Sequence, residues 1–338
     1  MSKTLKLAAA AAVFATPALA APTNMENPLY MPTAGTIYSK TSAGYMFKIT
    51  DDTRAQQDRN HHHQVESPIY RFHEELGIGI TDNLTLAANL GYTLNDRQDR
   101  KGLHLGRLGL NYRIFEDASE IVWDVYADAH LGGVSAMTGT YDMVPDANGI
   151  GFKYDNYGTG QYGVYVGTRV GKTWGDVTGV LYTEVGHFFA GDNTEITVDA
   201  GPTSAAVGGL TAVAKLKSFT DFTIGTKWSY EIDTDWTAGF GLAWKHHARH
   251  IVDSAKLTAG TAAAQPTVDA SGMAAEFAGM DFQDSFNEFP VTLSIANQVS
   301  EYVQVALYGE YTFDNGHHGS QNTTDSKIEM GVRLNAQF

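Results

Sequence analysis

The last thirteen residues, 326–338, constrain the fold of this chain more than any other stretch. Their apolar residues all fall on one parity, namely Ile328, Met330, Val332, Leu334, Ala336 and Phe338. The polar residues fall on the other parity, namely Lys327, Glu329, Arg333, Asn335 and Gln337. Because successive side chains of a β-strand point to opposite faces, this segment predicts a strand with one apolar and one charged face. One such strand would also suit the edge of a soluble β-sandwich, so the rest of the chain must decide.

The apolar parity ends on an aromatic residue, Phe338. This ending resembles the closing strand of bacterial outer-membrane β-barrels, where a terminal Phe or Trp is recognised by the barrel-assembly machinery. The resemblance implies that Phe338 is an assembly signal. It also implies that the assembly machinery and outer-membrane lipid are partners, in the outer membrane of a Gram-negative bacterium.

The N-terminal end of the chain has the pattern of a cleaved secretory signal. Lys3 and Lys6 precede an apolar run at 7–14, and small residues at 18–20 offer a cleavage site. We therefore expect a signal peptide at 1–20, a periplasmic lead-in at 21–34 and a barrel at 35–338. The lead-in contains three prolines and no strand period, so it either lies in the periplasm or enters the floor of the barrel.

Composition excludes several classes of function. The chain has 38 acidic and 23 basic residues, which argues against nucleic acid as a partner. It has no cysteine, so disulfides, thiolate catalysis and cysteine-based metal sites are excluded. No other stretch approaches about eighteen uninterrupted apolar residues, which excludes a helical membrane protein. No cofactor is expected.

The connections between strand-like segments alternate in length. We predict twelve strands, at 36–49, 67–80, 83–95, 102–115, 120–134, 161–174, 177–190, 219–232, 236–247, 286–299, 301–313 and 326–338. The long connections are 51–66, 96–101, 135–160, 191–218, 248–285 and 314–325, and each alternates with a short turn. Short periplasmic turns opposite long extracellular loops are typical of outer-membrane barrels. The sequence therefore predicts an all-β transmembrane antiparallel barrel of about twelve strands, with loop 135–160 long enough to form a constriction.

The polar parity of these strands would face the lumen. The predicted pore-lining residues are Lys40, Arg71, Arg107, Asp124, Asp128, Arg169, Glu184, Lys227, Glu310 and Arg333. Such charges either pair across strands as a structural interior or orient a solute in an open pore, and the two readings are compatible. One strand conflicts with the pattern, because Glu74 shares a parity with Tyr70, Phe72 and Leu76. A β-bulge near residues 73–75 would turn Glu74 away from lipid.

Eight of the histidines fall at or near one predicted rim: His61, His62, His63, His246, His247, His250, His317 and His318. Imidazole beside carboxylates suits Zn²⁺, Cu²⁺ or Ni²⁺. His246, His247 and His250 have the spacing of a metal site if they are locally helical. The alternative is a set of solvated polar loop residues.

These observations favour a porin-like channel for passive diffusion of small hydrophilic solutes, mildly cation-biased by its acidic loops, over an enzyme. One alternative is a lipid hydrolase using outward-facing His187 or His104, although no serine lies two residues from either. A protease built on Asp51, Asp52 and His247 is another. A third is a non-conducting structural or adhesive barrel. Solute identity and oligomeric state stay open.

Overall fold

The computed structural model describes residues 24–50, 69–95, 100–116, 121–131, 137–142, 151–156, 161–199, 210–270, 272, 274–275, 278–279, 281–283, 285–314 and 325–338. The predicted signal peptide lies outside these residues. Within them, long antiparallel strands dominate, and the short helix α1 spans Gln265–Ala270.

Twelve of the strands form the wall of a closed antiparallel barrel. They are β1 (Ile37–Thr50), β2 (Ile69–Thr81), β3 (Leu84–Asn95), β4 (Arg100–Glu116), β5 (Ile121–His130), β8 (Gly163–Trp174), β9 (Val177–Phe188), β12 (Phe219–Glu231), β13 (Trp236–His247), β16 (Phe286–Ser300), β17 (Val303–Asp314) and β18 (Asp325–Gln337). Their bounds agree with the twelve predicted segments to within a few residues, except at the end of β5. The prediction of a twelve-stranded barrel is confirmed.

The barrel closes where its first and last strands meet. β1 pairs with β18 from Tyr38↔Gln337 to Thr50↔Asp325. The backbone N–H of Phe338 donates to the carbonyl of Ile37 at 2.7 Å, and the N–H of Ile37 donates back at 3.1 Å. Closure leaves no free sheet edge in the wall, which is the condition for strands to cross a membrane.

The long connections carry secondary structure that the sequence did not predict. They contain β6 (Met137–Asp142), β7 (Gly151–Asn156), β10 (Gly191–Asp199), β11 (Leu210–Leu216), β14 (His250–Ala259) and β15 (Asp281–Gln283). These strands pair in the order β4–β6–β7–β10–β11–β14–β15 and extend one side of the wall. The expectation that loop 135–160 folds inward is wrong for its two described strands, because they pair into this extension.

The outer face of the wall is apolar along its length. Leu90, Leu181, Leu293, Leu307 and Met330 are all exposed there. Aromatic side chains lie near both ends: Trp174 stacks on Trp228 at the short-turn end, and Tyr45 meets Tyr70 towards the long-loop end. An apolar band between two aromatic girdles is the lipid-facing surface of an outer-membrane barrel. Among the described residues, no helix has the length and apolarity needed to span a bilayer.

Glu74 lies on this outer face, and the predicted bulge is wrong. The β2–β3 register runs without interruption through Glu74↔Leu90, and it shifts only between Gly79 and Thr81. Two hydroxyls of β1 satisfy the carboxylate instead: Ser39 donates to Oε1 at 2.6 Å, and Thr41 donates to Oε2. The polar group is therefore accommodated by its neighbours on the same face and not by a change in backbone geometry.

Removing both hydroxyls is expected to destabilise the barrel. The double variant Ser39→Ala/Thr41→Val leaves the Glu74 carboxylate without its donors at the lipid face, and we expect the free energy of unfolding to fall by about 1–3 kcal/mol. Adding Glu74→Leu to the double variant should restore the free energy of unfolding, because no carboxylate then faces the lipid without a hydrogen-bond donor. Urea unfolding in lipid vesicles, followed by tryptophan fluorescence, measures both. A triple variant no more stable than the double variant would contradict this role of the hydroxyls.

Candidate functional site

The segment before β1 lies inside the barrel at the short-turn end. Glu26 accepts hydrogen bonds from Arg333 Nη1 at 3.0 and 3.1 Å and from Asn335 Nδ2 at 2.9 Å, and both donors belong to β18. Burial alone would raise the pKa of Glu26, but Arg333, Asn335 and Lys40 outweigh it and hold that pKa below its usual value of 4.5. Glu26 is therefore a charged anchor on the β18 wall.

Three residues further along, Leu29 packs against a different part of the wall. Its side chain clusters with Val122 of β5 and Val180 of β9, and all three are buried. The Leu29 carbonyl accepts a hydrogen bond from Arg113 Nη2 at 2.6 Å. Asn27, between the two anchors, donates to Thr178 Oγ1 of β9 at 3.3 Å. The second anchor is thus apolar and centres on the β5–β8–β9 wall.

The two anchors lie on opposite sides of the barrel. Between β18 and β8 the ring passes on one side through β1, β2, β3, β4 and β5, and on the other through β9, β12, β13, β16 and β17. A chain that contacts β18 at residue 26 and the β5–β9 wall at residue 29 must cross the lumen. Of the two positions considered for the lead-in, its described part takes the one in the barrel floor.

Beside this crossing, Asp124 joins two arginines. Its carboxylate is fully buried and accepts from Arg113 Nε at 2.9 Å and from Arg169 Nε at 2.7 Å. The three side chains come from β4, β5 and β8, and Arg113 also holds the Leu29 carbonyl. The cluster connects the wall to residues 24–34, which we call the crossing segment, and this contact gives Asp124 and Arg169 a structural role in the floor.

Higher in the barrel, Arg107 lies between two carboxylates. Its Nη1 is 3.5 Å from Glu184 Oε2 and 3.9 Å from Asp128 Oδ2, and its guanidinium lies 3.4 Å from the centre of the Tyr165 ring. Because β4 and β9 are not neighbours, the Arg107–Glu184 contact reaches across the concave inner surface. These three predicted residues therefore meet inside the barrel.

The other five predicted residues are distributed around the interior. Lys40 lies over Tyr30 and Tyr38, and Lys227 over Tyr182, each with the nitrogen 5.4–5.7 Å from the ring centre. Arg333 is taken up by Glu26, and Arg71 pairs with Glu329 at 3.2 Å. Glu310 accepts the hydroxyl of Thr312 at 3.1 Å. That these residues line an open pathway stays a prediction.

Sequence reasoning missed two important residues. Arg113 was missed because β4 carries register shifts opposite Gly91–Tyr92 and between Arg113 and Phe115, which break the alternation. Glu26 was missed because the lead-in has no strand period. The sequence offers one sign of its role: Glu26 is the one charged residue of the lead-in, and the barrel that follows has many inward-facing arginines.

The structure does not bring the predicted rim metal ligands together. His246 and His247 are consecutive in a strand, so they face opposite sides: His246 meets Asn287, whereas His247 lies between Asp221 at 3.2 Å and Glu288 at 3.4 Å. His250 packs against Phe219 with ring centres 3.9 Å apart and the rings tilted by 34°, and burial lowers the pKa of His250 to about 4. Within the described part of the chain no cluster of three potential ligands occurs. The predicted site on these three residues is therefore wrong, and the other rim histidines lie outside the described residues.

The outward-facing His187 contacts a threonine. Its Nδ1 is 2.9 Å from Thr220 Oγ1, and its ring packs edge-on against Phe189. Neither of these described contacts of the His187 ring is a serine, the nucleophile that the lipid-hydrolase alternative requires. Asp51 and Asp52 of the protease alternative, and the side chain of His104, lie outside what the structure describes.

Comparison with known proteins supports the architecture. The sequence matches no protein-family model and no curated protein. Its fold is similar to that of the COG4313 outer membrane channel from Pseudomonas putida F1, at 12% identity and a TM-score of 0.56, covering 94% of this chain and 99% of that one. The fold is that of an outer-membrane β-barrel. The CymD monoaromatic hydrocarbon channel also matches, at 10% identity and a TM-score of 0.49, over 90% of this chain and 89% of that one.

Proposed function

We propose that this chain is an outer-membrane channel for passive diffusion of small hydrophilic solutes. The observation that carries the proposal is the interior: a closed barrel whose inner face holds interleaved, cross-strand charges in place of an apolar core. Paired charges of both signs give a wettable surface without a strong net field, which suits neutral and dipolar solutes. A signal peptide at 1–20 and assembly through Phe338 belong to the same proposal.

The crossing segment acts as the gate of this channel. It traverses the periplasmic end of the lumen and is held by hydrogen bonds and by the buried side chains of Met25 and Leu29, so its release would open the pathway without a change in the wall. The cation bias arises from the acidic mouth, because the overall charge is −15 while the interior charges largely pair. Screening at physiological salt keeps this bias to several-fold at most.

Single-channel recording in planar bilayers tests the proposal. We expect the purified chain to give small ohmic currents and a reversal potential displaced towards that of the cation under a salt gradient. Heat-modifiable gel mobility must confirm that the recorded protein is folded. A folded barrel that is silent both intact and without residues 24–34 would instead be a structural or adhesive surface protein.

A further inference from the structure

A charged cavity lies in the inner wall, away from the crossing segment. It has a volume of about 110 Å³ and lies between β13 and β2. Its lining combines three cations, three carboxylates, a methionine and a threonine: Lys245, Arg71, Lys327, Glu288, Glu310, Glu329, Met46 and Thr312. Such a lining is too polar for a hydrocarbon and has room for a solute of a few heavy atoms.

Four of the six charges neutralise one another. Arg71 Nη1 lies 3.2 Å from Glu329 Oε2, and the Tyr308 hydroxyl donates to the other oxygen of Glu329 at 2.9 Å. Lys327 Nζ lies 2.7 Å from Glu288 Oε1. Each ion pair joins two strands that are separated by one other strand, and together the two pairs form a neutral frame around the cavity.

The remaining two charges, Lys245 and Glu310, have opposite signs. Among the described residues, neither makes an ion pair within 4.0 Å. Lys245 lies in register with Glu288, whose carboxylate is already held by Lys327 and His247. Glu310 lies directly opposite Glu329, a like charge, and accepts a hydroxyl hydrogen bond from Thr312. Lys245 and Glu310, the two charges of this lining without an ion pair among the described residues, therefore face the same space.

We propose that this cavity binds small zwitterions of the amino-acid type, with the carboxylate on Lys245 and the ammonium group on Glu310. A solute carrying only one charge would satisfy one residue and leave the other unpaired in a partly buried site, which is costly. A zwitterion satisfies both and leaves the cavity neutral. The inference refines the proposed channel by naming a solute class, and it rests on that function only for transport.

Calorimetric titration of the detergent-folded chain tests the binding step. The probes are glycine, β-alanine, γ-aminobutyrate and 6-aminohexanoate, with acetate and methylammonium as the two half-molecules. We expect at least one of the four zwitterions to bind more than about tenfold tighter than either half. The preferred chain length reports the gap between the two charged groups. Equal affinity for zwitterions and half-molecules would overturn the inference.

Charge reversal separates this site from general electrostatics. Lys245→Glu and Glu310→Lys should each weaken zwitterion binding at least about tenfold. The double variant exchanges the two charges, so it should bind the zwitterion again, in the opposite orientation. Lys217→Glu and Glu301→Lys, at exposed positions outside the cavity, are the matched controls and should bind as the wild type does. A folded double variant that binds no better than the single variants would refute the site. Binding without conductance refutes only the channel, and conductance without binding refutes only this inference.

Discussion

Deleting residues 24–34 is expected to raise the single-channel conductance severalfold. Residues 26 and 29 contact opposite walls, so the segment between them obstructs the lumen at its periplasmic end. The wall closes through β1 and β18 without this segment, so the barrel should still form. Planar-bilayer recording of the deletion variant beside the wild type measures the change, and unaltered conductance in a folded deletion variant would show that the segment does not limit flow.

A reversible lock provides the matched control for the deletion. Asn27 and Thr178 have short side chains with polar atoms 3.3 Å apart, and the chain has no native cysteine. In the variant Asn27→Cys/Thr178→Cys, a disulfide should tether the segment to β9, so the conductance should be low when the pair is oxidised and should rise when it is reduced. This outcome separates movement of the segment from any general effect of substitution.

Acid should act on the same gate. Because the docked pKa of Glu26 is lower than its usual value of 4.5, docking is favoured above that pH and weakens as pH falls through the docked value. Protonation removes the charge from the bonds to Arg333 and Asn335. Wild-type conductance should therefore rise below about pH 4.5, whereas Glu26→Gln should already be raised at pH 7. The oxidised cysteine pair should not open in acid.

Replacing Asp124 by alanine is expected to be the most destabilising single change in the wall. The substitution leaves Arg113 and Arg169 facing each other in the floor without the carboxylate that both now bind. Removing one partner of a buried ionic cluster costs about 3–5 kcal/mol. Urea unfolding in vesicles should show a loss of this size, and the folded fraction after refolding should fall.

Asp128→Ala on the same strand is the control. Asp128 is 3.9 Å from Arg107, and that guanidinium keeps both Glu184 and the Tyr165 ring when Asp128 is lost. We expect a loss under about 1 kcal/mol, as for a weak, partly exposed pair. Similar losses for the two aspartates would contradict the special role assigned to Asp124.

The sequence by itself determined the wall of the barrel. A strand between lipid and a polar lumen must alternate along its whole length, so the pattern and the lengths of the connections specified twelve strands and their facing. All ten predicted pore-lining residues lie on the inward parity for this reason. The expectation that polar residues face inward failed at Glu74. Its carboxylate faces outward because Ser39 and Thr41 on the neighbouring strand donate hydrogen bonds to it, and the pattern within one strand does not show that pairing.

Only the tertiary structure decided what happens inside the barrel. Ring closure sets which residues face each other across the lumen, so the pairing of Glu26 with Arg333, 307 positions away, has no signature in periodicity. The same holds for Lys245 and Glu310, which make no ion pair among the described residues because the other charges of the cavity are already paired with one another. Alternation is a property of each strand alone, whereas the lumen is a property of all twelve together.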